Sequence, residues 1–169
     1  MSAPERPASS MPTSAFVRAA LVRPGGGLLF QADSQRRDLI NESSTRSELV
    51  ALLTFLVKRG HVIEITAIKA DHHDDSSLGV APLCEGTHAH GWAADCWPLA
   101  SHTAGDYLDA AHPRFQAFLF DCARAPYLKQ IGLAGSAWTP ANRHASGATV
   151  FEDGGGDHAH LGTHETKSA

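Results

Sequence analysis

Two short segments concentrate side chains that bind metals and move protons. The first is Gly86-Thr87-His88-Ala89-His90-Gly91-Trp92-Ala93-Ala94-Asp95, and the second is Glu152-Asp153-Gly154-Gly155-Gly156-Asp157-His158-Ala159-His160-Leu161-Gly162. A catalytic zinc takes three nitrogen or carboxylate ligands and keeps a fourth position open for water. A carboxylate near that water must accept its proton. His88 and Asp95 can supply two ligands and His160 the third, and Asp157, three residues before His160, can reach a water on the same ion. In an extended segment His158 and His160 point to one face, so both can line one cleft. Gly91 and Ala93 are small, as suits a tight passage of chain between two ligands.

Spacing alone leaves alternatives open. His90 lies five residues before Asp95 and can exchange with His88, although the small residues fit His88 better. Glu152 and Asp153 compete with Asp157 as the base, but only Asp157 has the three-residue spacing to His160. Asp71-His72-His73-Asp74-Asp75 looks metal-like in isolation, yet such runs are more often solvated loop, and no further pattern supports a site there. Trp92 reads as packing beneath the site. Cys84 and Cys96 are candidate soft ligands, with a buried thiol the commoner fate. Most of the 11 histidines read as surface residues without a role.

The elements that must hold these residues belong to an α+β domain with a small, mainly antiparallel sheet and helices packed against it. A helix is predicted over about 45–59: Thr45 and Glu48 have capping-box spacing, and Leu49, Leu52, Leu53 and Leu56 form one apolar face. Lys58 and Arg59 suit the negative end of its dipole, and Gly60 its left-handed stop. Residues 62–68 (Val-Ile-Glu-Ile-Thr-Ala-Ile) are β-branched and read as an interior strand. A second helix begins near Pro113, with Phe115, Phe118, Leu119 and Cys122 as its buried stripe. Residues 128–133 form a strand, and 149–151 and 159–162 a hairpin around Gly154-Gly155-Gly156. Residues 71–86 and 135–147 read as loops. Earlier, Arg23-Pro24-Gly25-Gly26-Gly27 is a turn signal within 16–30, giving a small hairpin or an irregular lead-in.

Length and composition bound the function. The 169 residues match one domain, taken as 15–165 behind a Pro- and Ser-rich disordered tail at 1–14. Acidic residues outnumber Lys and Arg 18 to 14, which argues against a general nucleic-acid binder. No apolar run approaches the ~20 residues of a membrane span, so membrane insertion is not expected. Three cysteines argue against a disulfide framework and for a reducing compartment, and no signal-peptide pattern opens the chain.

The pattern His88-x-x-Gly91-x-Ala93-x-Asp95, followed by Asp157-His158-x-His160, resembles the zinc D-alanyl-D-alanine carboxypeptidases. Their superfamily includes D-Ala-D-Ala dipeptidases, phage L-alanyl-D-glutamate endopeptidases and the hedgehog signalling domain. The resemblance implies a hedgehog/DD-peptidase-like fold in which His88, Asp95 and His160 bind Zn2+, Asp157 is the general base and His158 helps stabilise the tetrahedral intermediate. It implies a monomeric zinc metallopeptidase that hydrolyses a peptidoglycan stem-peptide amide, of carboxypeptidase or endopeptidase type. Such an enzyme reaches the wall after release or export, as a phage lysin or virion-associated hydrolase does. The resemblance runs from about Thr45 to Gly162, and only the two motifs are specific. Lys69 stands where the family places an Arg after the strand, and Gly86 where it usually has Ser. Lys69 and Arg143, the latter chosen from its loop position, are the candidate contacts to a substrate carboxylate. The alternatives are a non-catalytic zinc-binding domain of the same fold, as the hedgehog branch illustrates, and a related murein endopeptidase.

Overall fold

The computed structural model describes residues 15–68, 88, 90–97, 112–133, 148–152 and 158–163. Their elements run α1 (Ala15–Val22), β1 (Leu28–Phe30), α2 (Asp33–Ile40), α3 (Ser47–Lys58), β2 (Ile63–Ala67), β3 (Ala93–Trp97), α4 (Pro113–Cys122), β4 (Gln130–Leu133), β5 (Thr149–Glu152) and β6 (Ala159–Gly162). The six strands form one sheet in the order β1-β2-β3-β6-β4-β5. The three central pairings are antiparallel and the two outer ones, β1 with β2 and β4 with β5, are parallel. The fold is therefore α+β with a mixed sheet, less uniformly antiparallel than expected. Among the described residues, no helix is long and apolar enough to cross a membrane.

Strand alternation divides the sheet into two chemically different faces. Ile63, Ile65, Ala94, Cys96, Ile131, Ala159 and Leu161 all belong to one buried apolar cluster. Leu49, Leu52, Leu53 and Leu56 of α3 and Phe115, Phe118, Leu119 and Cys122 of α4 complete it, so both predicted helical stripes are core. Each of the leucines, isoleucines and phenylalanines among them contributes about 1.5–3 kcal/mol when fully buried. The opposite face carries Ala93, Asp95, Gln130, Gly132, His160 and Gly162, brought level by the registers Asp95↔His160, Gly132↔His160 and Gln130↔Gly162.

Several local signals are expressed and others are overridden. Gly60 adopts φ +93° and ends α3, with His61 N–H donating to Leu56 O. Pro113 opens α4 as expected, and His112 Nδ1 accepts from Arg114 N–H at 3.2 Å. The Thr45–Glu48 capping box does not form: Arg46 is the N-cap of α3, and the Thr45 hydroxyl donates instead to Asp38 O. The lead-in is not a hairpin, because the turn after Arg23 joins helix α1 to strand β1, and β1 pairs with β2. The 149–151 and 159–162 strands also do not form a hairpin. They run in opposite directions, as the glycine turn implied, but β4 lies between them and pairs with both. A turn sets chain reversal locally, whereas the partner strand is chosen by long-range pairing.

A polar contact ties the connection between α3 and β2 to α4. Asp121 is buried, with its Oδ1 3.0 Å from Arg59 Nε and its Oδ2 2.8 Å from His61 Nε2. The His61 ring stands edge-on to Phe118 with centroids 5.5 Å apart. Burial raises the Asp121 pKa, but hydrogen bonds from His61 and Arg59 outweigh it and hold the carboxyl below its ordinary value. A depressed carboxylate contributes stability that is fully present above its unfolded pKa of ~3.9 and is lost as pH falls through the folded value. Asp121→Asn is accordingly expected to cost about 1–2 kcal/mol at pH 7, with the gap to the parent protein closing below pH ~4 in denaturant titrations. A gap that stays constant with pH contradicts this assignment.

Candidate metal centre

His88 opens a tight turn whose Gly91 N–H donates back to His88 O at 2.8 Å. Gly91 has φ +72°, and a Cβ there would collide with the Ser44 carbonyl oxygen. The turn is so close to the α2–α3 connection because Arg46 N–H donates to Gly91 O at 2.9 Å, while Arg46 Nε donates to His90 O at 3.3 Å. That connection is itself fixed by the buried Arg18 of α1, whose guanidinium donates to Leu39 O at 2.7 Å and Thr45 O at 2.8 Å. Burial lowers the Arg18 pKa, opposed by Glu42. Gly91→Ala is expected to cost about 2–4 kcal/mol from the left-handed backbone and the carbonyl clash together, and to weaken metal uptake by displacing His88. Thermal melting and metal titration of the variant check both effects.

Asp95 and His160 are directly opposed on the neighbouring central strands β3 and β6. Their side chains meet that of His88, and all three residues are buried. His160 Nδ1 lies 3.1 Å from Asp95 Oδ1, His88 Nε2 3.2 Å from the same oxygen, and the two ring nitrogens 3.1 Å from each other. Protons cannot satisfy all three edges of this triangle. An ionised carboxylate oxygen only accepts, and each imidazole nitrogen either accepts or donates along one direction. One divalent ion facing all three atoms does satisfy them. Ligands at about 2.0–2.1 Å in a tetrahedron are spaced about 3.3–3.4 Å apart, close to the edges of this triangle. His88, Asp95 and His160 thus form a buried group able to hold a metal ion.

Where the competing candidates are described, the structure separates them by position. His90 is exposed and sits against Trp92, with ring centroids 5.7 Å apart, while His88 takes the place beside Asp95. Trp92 is half-buried with the Arg46 guanidinium 5.6 Å above its ring, outside the ligand triangle. Cys96 points into the helix-covered core, where burial and the neighbouring Asp95 push its thiol pKa up, so it is no ligand to this group. His158 lies on the predicted side: its Nε2 is 3.6 Å from Asp95 Oδ2, and its side chain is partly exposed. Asp157, Lys69, Arg143, Asp153, Cys84, Gly86 and the 71–75 run lie outside the described residues, and the side chain of Glu152 does as well.

Spacing did not single out Gln130 or Arg18. Gln130 is fully buried on the sheet face that carries Asp95 and His160, diagonal to His160 across the β4–β6 pairing. No local motif marks either residue: Arg18 reaches Leu39 O and Thr45 O, and Gln130 is opposite Gly162, all more than 20 residues away in the chain. Comparison with family models, with curated proteins and with solved structures finds no match for this chain.

Proposed function

We propose that this chain is a zinc-dependent peptidase of hedgehog/DD-peptidase-like fold that hydrolyses an amide bond in peptidoglycan stem peptides. The observation that carries the proposal is the convergence of His88 Nε2, Asp95 Oδ1 and His160 Nδ1 on one point, in the order the motif resemblance implies. Two nitrogens and one carboxylate oxygen are the donor set of a catalytic rather than a structural zinc site. When bound, zinc supplies a Lewis acid that acidifies water and polarises a carbonyl.

The remaining chemistry falls to the chain. Asp157 accepts the proton of the attacking water and returns it to the leaving amine. His158, next to the ligand carboxylate, donates toward the oxygen on which negative charge develops. Lys69 and Arg143 meet the substrate carboxylate, with Lys69 offering charge but not the two-pronged grip of an arginine. The test is incubation of zinc-loaded protein with purified peptidoglycan and mass spectrometry of the released fragments. Cleavage within the stem peptide is expected, and the fragment masses name the bond. Full zinc occupancy with no amide cleavage overturns the enzymatic reading in favour of a non-catalytic zinc domain.

A further inference from the structure

We propose that Gln130 is a positioning residue for the metal centre, its side-chain oxygen accepting the Nε2–H of His160; this rests on the metal reading above. His160 faces Asp95 and His88 through Nδ1. For Nδ1 to present a lone pair to an ion, the ring proton must sit on Nε2. Metal-bound histidines almost always donate that second N–H to an oxygen, which fixes both the tautomer and the ring orientation.

The sheet brings Gln130 to this position. Across the β4–β6 pairing each large polar side chain faces a glycine: Gln130 is opposite Gly162, and His160 is opposite Gly132. The space above Gly162 is where the two side chains come together. A Cβ placed on Gly162 would lie 2.7 Å from Gln130 Oε1 and 3.3 Å from His160 Nε2. Gln130 and His160 are both buried. The two atoms flank one glycine, and the broad terminal torsion of Gln130 lets its oxygen turn toward Nε2 while the His160 ring keeps Nδ1 on Asp95 and His88. A glycine at 162 keeps this space open, and an amide in an otherwise small-residue corner gives it an acceptor.

The experiment measures two quantities, on the full chain. The first is the proton shift of the His160 Nε2–H in zinc-loaded protein, from 1H–15N NMR of the ring. The second is zinc affinity, by competition with a chromophoric chelator, for the parent, Gln130→Leu and Gln130→Glu. The Nε2–H proton should lie downfield in the parent, as a hydrogen-bonded proton does, and move upfield in Gln130→Leu, which keeps bulk and drops the acceptor. Zinc affinity should fall about 10–100-fold in Gln130→Leu and be kept in Gln130→Glu, whose carboxylate also accepts. A parent Nε2–H without the downfield shift overturns the proposal, and so does Gln130→Leu binding zinc within twofold of the parent. Should Gln130→Leu fail to fold, the parent shift and Gln130→Glu still decide. Absence of zinc uptake by the parent itself sinks the metal reading instead, and the chelator competition reads that directly.

Discussion

His160→Ala is expected to leave the protein unable to retain zinc and unable to cut peptidoglycan. The imidazole closes the ligand triangle from β6, with Nδ1 3.1 Å from both Asp95 Oδ1 and His88 Nε2. Without it a two-residue remnant is left, and two ligands cannot define a tetrahedral site with one open position. Even changes to groups behind a ligand typically weaken metal binding 10–100-fold, so loss of the ligand itself should exceed ~100-fold. Equilibrium dialysis with metal analysis reads the affinity, and fragment release from peptidoglycan reads the activity. A variant that binds zinc as the parent does removes His160 from the centre.

Asp157→Ala should separate the two properties. The proposed function gives it a proton to carry and not the ion to hold, so zinc content should match the parent while turnover falls about 10²–10⁴-fold. Parallel zinc analysis and rate measurement on the same preparation check this. Full turnover in Asp157→Ala would move the base to another carboxylate, with Glu152 and Asp153 the nearest in sequence. Comparing the two variants also distinguishes enzyme from binding domain, because a metal site without catalysis responds to the first substitution and has no turnover for the second to remove.

The parts of the fold that sequence made legible are those whose periodicity is expressed over a full element. The leucines of α3 and the apolar stripe of α4 bury the side predicted for them, and the β-branched run of β2 is an interior strand as expected, between β1 and β3. Helix α2 was invisible because Asp33–Ile40 is mostly polar and buries only Gln35 and Leu39. It is held by tertiary contacts instead, with Gln35 Nε2 donating to Thr66 O at 2.6 Å. Strand β3 (Ala-Ala-Asp-Cys-Trp) has little intrinsic strand preference and is extended because β2 and β6 flank it. Thr45 looked like a cap by spacing, but Asp38 O competes for its hydroxyl.

The candidate site was more legible than the topology around it. Ligand chemistry constrains residue type and spacing strongly enough to favour His88 over His90, and the fold brings His88, not His90, to Asp95. Sequence could not show that both imidazoles converge on the same carboxylate oxygen, since this depends on the β3–β6 register. It also could not show that Gln130 lies beside His160, because β4 reaches β6 only by inserting between β6 and β5.

The most direct measurement is anomalous diffraction at the zinc absorption edge from crystals of the zinc-loaded protein. One peak is predicted, about 2.0–2.2 Å from His88 Nε2, His160 Nδ1 and Asp95 Oδ1 together. Saturating zinc that leaves this position without a peak, or a zinc ion held by other residues alone, would contradict the account.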